Sequence, residues 1–339
     1  MSASTPLPRL QDVPAPAKLN VFLHVVGQRP DGYHLLQSLF VLVDWADTLH
    51  FELRPDAQLL RHDLGQALPA DDLCLRAARL LQQASACPLG ATIHIDKQLP
   101  SGAGMGGGSS DAASTLLALN RLWGLNWSRQ RLMALGLQLG ADVPFFLGGH
   151  PAIVEGIGER LTPVPLRPRH YAVVKPPQSL ETRLIFTDPG LTRDSDPAIL
   201  EGFLADPKVD VSALGHALDD WLDESKPEAS DPPKIKSGLS SPRLHLGLPE
   251  TRNDLQPVAL RHCPPIGEAL ELLRARWGNS QMTGSGSAVF ARETAANATL
   301  MAAEAAQAAP KLLAQELPSR WVGRMCRSLP RHPLWDWAS

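Results

Sequence analysis

The sequence predicts an α/β protein of two domains, and three observations carry that reading. Five of the seven positions from Gly102 to Gly108 are glycine, and the run lies between a strand-like segment (residues 91–99) and a helix-like one (residues 111–123). Further segments with strand periodicity (residues 18–26, 39–43, 49–53 and 171–175) alternate with apolar helical patterns (residues 72–84, 128–139 and 266–274). The chain has 339 residues, 44% hydrophobic and 20% charged, which suits about two globular cores. The division expected is a disordered tail over residues 1–13, a first domain over 14–165 and a second over 166–339. Residues 224–249 are rich in proline, serine and charge, so a flexible insertion is expected at about residues 190–251 of the second domain.

The glycine run has a chemical use at such a junction. Without Cβ atoms the backbone can adopt positive φ and turn several N–H groups toward one anion. The helix that follows adds unpaired N–H groups and the positive end of its dipole. Ala112, Ala113, Leu116, Leu117, Leu119, Leu122 and Trp123 cover nearly every face of that helix, so it is expected to be buried, which a linker would not require. A phosphate cradle follows, formed by Pro100, Ser101, Gly102, Ala103, Gly104, Met105, Gly106, Gly107, Gly108, Ser109 and Ser110.

Two common cradles do not fit. The Walker A loop ends in Gly-Lys-Ser/Thr, and no lysine follows these glycines. Gly102, Gly104 and Gly107 satisfy the dinucleotide pattern G-x-G-x-x-G, but a second helix follows the first where a strand ending in an acid is needed. The preceding strand alternates Ile93 and Ile95 with Thr92, His94 and Asp96, as a half-exposed antiparallel strand would.

Bulk properties narrow the partners. A net charge of −3 gives no reason to expect nucleic acid. Cys74, Cys87, Cys263 and Cys326 are scattered, which suits a reducing compartment and speaks against structural zinc or a disulfide framework. Residues 1–16 lack an apolar signal segment, and no run approaches the roughly 18 apolar residues that span a bilayer. A cytoplasmic protein without a membrane partner is the expectation.

In chain order, the strand over residues 18–26 should place Leu19, Val21, Leu23 and Val25 on one face and Lys18, Asn20, Phe22 and His24 on the other. The turn Arg29-Pro30-Asp31-Gly32 leads to Tyr33 and His34. Two strands are expected at 39–43 and 49–53, joined around residues 44–47. Ser128 should cap a helix that stops at Gly140, placing Asp142 on a turn before Pro144. A second glycine loop, Met282-Thr283-Gly284-Ser285-Gly286-Ser287, enters a further strand.

Three separated segments together resemble the motifs of the GHMP small-molecule kinases. These are Pro16-Ala17-Lys18-Leu19-Asn20, the run from Leu99 to Ala113, and Met282-Thr283-Gly284-Ser285-Gly286. The resemblance is close over about residues 14–190 and looser over 252–330. It implies a ribosomal-S5-like N-terminal domain, a ferredoxin-like C-terminal domain and an active site between them. It also implies transfer of the ATP γ-phosphoryl group to an alcohol, with Mg²⁺ bridging phosphate oxygens and Ser109 or Ser110 as candidates to assist. Within the family, Gly27 to His34 and Gly140-Ala141-Asp142-Val143-Pro144 resemble the branch acting on 4-diphosphocytidyl-2-C-methyl-D-erythritol, in the non-mevalonate route to isoprenoids.

The roles that the resemblance implies can be stated residue by residue. Asp142 matches the base that takes the hydroxyl proton, and Lys18 the cation beside it. Lys97 is a candidate for the nucleotide's phosphate or ribose. Tyr33 and Phe186 match the aromatic rings that sandwich cytosine, His34 the residue that hydrogen-bonds it, and Asn20 and Thr182 the contacts to the rest of the substrate. A monomer or weak homodimer is expected. The alternatives are another GHMP kinase (for a sugar, mevalonate or homoserine), a non-catalytic nucleotide-binding protein on the same fold, and an NAD-dependent oxidoreductase.

Overall fold

The computed structural model describes residues 7–195, 211–224, 251–306 and 317–339. Among them the order of elements is β1 (Arg9–Gln28), β2 (His34–Arg54), β3 (Leu59–Asp63), α1 (Leu73–Ser85), β4 (Gly90–Asp96), α2 (Gly107–Leu122), α3 (Arg129–Gly136), α4 (Val143–Gly148), β5 (Ala152–Gly156), β6 (Arg160–Pro163), β7 (His170–Lys175) and α5 (Thr182–Thr187). There follow α6 (Val211–Glu224), α7 (Gln256–His262), α8 (Pro265–Trp277), β8 (Gln281–Met282), β9 (Val289–Arg292), α9 (Ala298–Ala306) and β10 (Val322–Leu329). The strands run in the order β3-β4-β2-β10-β7-β9-β8, with β1 and β5 also paired to β2 and β6 paired to β5. The class is mixed α/β. No helix among the described residues is long and apolar enough to cross a membrane.

The long β1–β2 hairpin is the frame, and period-two alternation sorts β2 onto two cores. Phe40 and Leu42 face α2 and α4 together with Ile93, Ile95, Leu116 and Phe145. Leu39, Val41 and Val43 face the opposite way, toward Leu19, Val21, Val173 and Phe290. A third core joins α7 and α8 to β7 through Ala172, Val174, Val258, Ile266 and Leu273. β10 links the two ends of the sheet, pairing Ser328 and Leu329 with β2 and Val322 to Arg327 with β7.

Several expectations need correction. Residues 9–13 are not a disordered tail: they extend β1, with Arg9 opposite Glu52 and Val13 buried opposite Leu49. Residues 1–6 lie outside the described residues. The strands expected at 39–43 and 49–53 are one continuous strand. Pro16 pairs with Ala46 and Ala17 with Val43, so Asp44 and Trp45 form a bulge rather than a connection. A second irregularity between Asn20 and Phe22 breaks the alternation of β1. Phe22 therefore joins Leu19 and Val21 in one core, while Leu23 and Val25 join the third. β4 is antiparallel to β2 as expected but parallel to β3, and Thr92 is buried along with the isoleucines.

The insertion expected at about 190–251 contains an ordered, buried helix. Leu214, Leu218, Trp221 and Leu222 of α6 are all at most 3% exposed and pack beneath β1 and β7. Their i, i+4, i+7, i+8 spacing gives α6 a core-facing stripe. Arg169, buried between Asp219 and Asp223, fastens α6 to the start of β7. Leu191 and Ser195 are buried as well. The stretch 225–250, on which the expectation of mobility chiefly rested, lies outside the described residues.

Candidate active site

The glycine run forms the floor of a cleft of about 1280 Å³. α2 begins at Gly107, four residues earlier than expected, so Gly107 and Gly108 belong to its first turn and Gly106 is its cap. The loop is fixed by backbone on both sides. Lys18 N donates to Met105 O (3.0 Å), and Ser287 N and Ala288 N donate to Gly102 O and Ala103 O (3.2 and 3.1 Å). Gly104 has φ +74°, and a Cβ there would lie 2.4 Å from Thr283 O, so the two glycine loops touch only because neither carries a side chain at the contact. A Cβ on Gly106 (φ +71°) would meet the ring of Phe146 at 2.9 Å. No side chain caps α2, and Gly107 and Gly108 of its first turn line the cleft, where the N–H groups that a helix start leaves without backbone partners are available to an anion.

Lys18 and Asp142 come together at this cradle, with Nζ 3.8 Å from the carboxylate. Lys18 is 4% exposed; its ammonium donates to Asn20 Oδ1 (2.6 Å) and lies 4.4 Å from the centre of the Phe40 ring. Burial holds its pKa below the ordinary lysine value, and Asp142 opposes this in part. Asn20 is itself held on both sides: Nδ2 donates to Ser38 Oγ (3.0 Å), and Oδ1 accepts from Thr283 Oγ1 (3.3 Å) as well as from Lys18. β1 aims the lysine and Phe40 supports it from below.

Asp142 is on a turn, as expected, and directly precedes α4, whose first turn contains Pro144. Phe145 of α4 packs edge-on against Phe40 at 5.1 Å, so one ring supports both the lysine and the helix behind the aspartate. The far end of α4 is gripped by the C-terminal segment. Arg129 donates to the carbonyls of Leu147, Trp335 and Ala338 and lies 3.7 Å from the centre of the Trp335 ring. His332 N donates to Gly149 O (2.7 Å), and the His332 ring is held down to a pKa of about 3 by burial, reinforced by Arg129.

Lys97 lines the cleft beside α2, bonded to Asp47 and to Asp111 (2.6 Å to the latter). Burial opposes charge on Lys97, but the two carboxylates outweigh it and hold the ammonium above its usual value. Burial pushes the Asp111 carboxyl up to about 7 despite Lys97. Among the described residues Asp111 Oδ1 has no partner, and Asp111 lines the cleft. At the opposite end lie Tyr33, His34, Thr182 and Phe186. Tyr33 is 60% exposed, and Phe186 packs on the His34 ring (5.0 Å, 38°). Thr182 Oγ1 meets Ser285 Oγ at 2.8 Å.

Of the residues singled out from the sequence, Lys18, Asn20, Tyr33, His34, Lys97, Pro100 to Gly108, Asp142, Thr182 and Phe186 line this one cleft. Ser109 and Ser110 do not. Ser110 is fully buried and its hydroxyl donates to Pro16 O (2.6 Å), tying α2 to β1, because the helix starts early and turns that side chain inward. Sequence reasoning missed Asp47, Asp111, Ser285 and Arg193. Asp111 directly follows the serines and Ser285 lies in the second glycine loop, so both had a local signal. Asp47 and Arg193 had none.

A model of the GHMP kinases N terminal domain matches residues 72–150, which span α1, the cradle, α2, α3 and α4. A protein of Methylibium petroleiphilum named 4-diphosphocytidyl-2-C-methyl-D-erythritol kinase is 55% identical over 98% of this chain and 99% of its own length. The chain belongs to the GHMP kinase family. A kinase of the same name from Albidiferax ferrireducens is 51% identical over 97% of this chain and 96% of its own. A crystal structure of 4-(cytidine 5'-diphospho)-2C-methyl-D-erythritol kinase superimposes with a TM-score of 0.63 at 31% identity, covering 94% of this chain and 99% of that one. Homoserine kinase from Cytophaga hutchinsonii gives a TM-score of 0.62 at 15% identity, over 98% and 97% of the two chains, which is a likeness of fold alone. This GHMP kinase is thus a small-molecule kinase with the two-domain fold of its family.

Proposed function

We propose that this kinase transfers the γ-phosphoryl group of ATP to the C2 hydroxyl of 4-diphosphocytidyl-2-C-methyl-D-erythritol, giving ADP and the 2-phosphate, in the non-mevalonate route to isoprenoid precursors. The single observation that carries the reading is the Lys18–Asp142 pair, 3.8 Å apart, facing the glycine cradle in the same cleft as Tyr33, His34 and Phe186. A cleft of about 1280 Å³ exceeds the few hundred to about 1000 Å³ typical of a single small-ligand site, and so has room for two extended ligands.

The chemistry follows from the geometry. An alcohol is a weak nucleophile at neutral pH, and Asp142 is the carboxylate positioned to accept its proton as the new O–P bond forms. Lys18 offsets the negative charge shared between that carboxylate and the phosphoryl oxygens. The unpaired N–H groups at the start of α2 hold the phosphate chain, and Lys97 with Asp111 lies at the nucleotide end. Magnesium fits as a cation carried by the triphosphate, since it is usually held by phosphate oxygens, water and one or two carboxylates. When bound, it neutralises phosphate charge. The scattered cysteines suit a reducing compartment, so the cytoplasm is the proposed location, and a monomer or weak homodimer remains the proposed assembly.

The test is ATP consumption with 4-diphosphocytidyl-2-C-methyl-D-erythritol and Mg²⁺, beside mevalonate, homoserine and the free polyol. Turnover of only the cytidine diphosphate adduct is expected. Preference for any of the others would replace the substrate assignment with a different member of the family.

A further inference from the structure

Arg193 lies outside every motif of the sequence, yet it holds both walls of the pocket opposite the glycine cradle. Its Nε donates to His34 Nε2 at 3.0 Å. Its Nη2 donates to the carbonyls of Phe186 (3.1 Å) and Asp188 (2.9 Å), and Nη1 to that of Leu191 (3.0 Å). One guanidinium therefore grips the imidazole, the backbone of the residue whose ring packs on that imidazole, and the loop that follows α5.

The chemistry of the pair fixes the state of His34. A guanidinium has no acceptor and keeps its proton, so the nitrogen it donates to must be the bare one. The single proton of the neutral ring then sits on Nδ1. Burial and the adjacent Arg193 charge both favour the neutral ring. Among the described residues no protein group takes the Nδ1 proton, and His34 lines the cleft. The pocket thus offers one ring donor beside the Phe186 face.

We propose that Arg193 is the positioning residue that sets nucleobase preference: by locking the Nδ1–H form of His34 and the seat of Phe186, it presents a donor that matches the bare N3 of cytosine and clashes with the N3–H of uracil. This rests on the substrate assignment made above and adds the device that discriminates. Pairing a donor with a donor leaves both unpaired in the pocket, the arrangement that rejects a wrong substrate most strongly.

The experiment compares the cytidine and uridine diphosphate adducts of the polyol on the wild-type enzyme and on Arg193→Ala and Arg193→Lys. Arg193→Ala should raise KM for the cytidine adduct about tenfold or more and erase most of the cytidine preference, with kcat and the KM for ATP within about twofold. Arg193→Lys, which can reach His34 but cannot span the three carbonyls, should recover part of the preference. Imidazole ¹⁵N shifts of the ligand-free wild-type enzyme should report an Nδ1–H tautomer for His34. An Nε2–H tautomer would overturn the proposal whether or not the alanine variant folds, and so would an unchanged cytidine-to-uridine ratio in a folded Arg193 variant. Failure of the wild-type enzyme to accept the cytidine adduct at all would bring down the substrate assignment and the base preference together, while the tautomer measurement would still report on the Arg193–His34 contact.

Discussion

The two ends of the cleft are built from different materials. At the glycine-cradle end, where the phosphoryl group is proposed to lie, the surface is mostly backbone, fixed by β1 on one side and the second glycine loop on the other, and Lys18 is 4% exposed. At the opposite end, the proposed seat of the base, the surface is side chain: Tyr33 is 60% exposed, and His34 and Phe186 are held by Arg193. Backbone donors cannot be exchanged by mutation, whereas side chains can. The first arrangement suits a step shared by a whole family, and the second suits the recognition of one substrate.

The largest effect expected from probing this contrast is at Asp142. Asp142→Asn keeps the shape and removes the proton acceptor, so kcat should fall about 10²–10⁴-fold with ATP affinity little changed. Lys18→Ala should also lower kcat, and the double variant should lose far less than the product of the two, because the pair acts as a unit. A folded Asp142→Asn enzyme turning over near the wild-type rate would remove the base assignment.

Gly104→Ala tests whether the cradle is a backbone device. The added Cβ cannot coexist with Thr283 O at 2.4 Å, and strain of about 1–3 kcal/mol should move the loop. The KM for ATP should rise about tenfold or more while the cytidine end is spared, as read by steady-state kinetics in both substrates. Equal losses for the two substrates would mean that the loops move as one body. Tyr33→Ala and Phe186→Ala make the converse test. Stacking of a base on an aromatic ring is worth about 1–3 kcal/mol, so substrate binding should weaken by about five- to 150-fold while ATP binding holds.

The effect expected behind Asp142 falls on stability in acid rather than on turnover. The His332 ring titrates near 3 in the fold and near 6.5 when unfolded, so the unfolded chain takes up the proton first. The stability that depends on the neutral ring is complete above pH 6.5 and is lost as pH falls toward 3, by at most about 1.4 kcal/mol per pH unit. Chemical denaturation across that range should show a steeper acid loss for wild type than for His332→Asn. Parallel curves would show that the C-terminal grip on α4 does not depend on the neutral imidazole.

Local order alone dictated much of this. The glycine run, its strand and its helix, and the Ser128 cap are set by residues near one another in sequence, and their patterns could be read directly. Much of the cleft composition was legible too, through the family resemblance that its short motifs carry. Other features arise from pairing across long separations. Residues 9–13 became a strand because β2 offers an edge to them, and the bulge at Asp44 and Trp45 appears only once β1 is in register. Ser110 turned from the cleft because α2 begins at Gly107. α6 was hidden by its surroundings, since proline- and charge-rich composition nearby masked four core side chains. Asp47 and Arg193 act on partners 50 and 159 positions away, and nothing in their own neighbourhood marks them. A motif records what adjacent residues do together; a guanidinium that holds two walls of a pocket has meaning only after the chain has brought those walls to it.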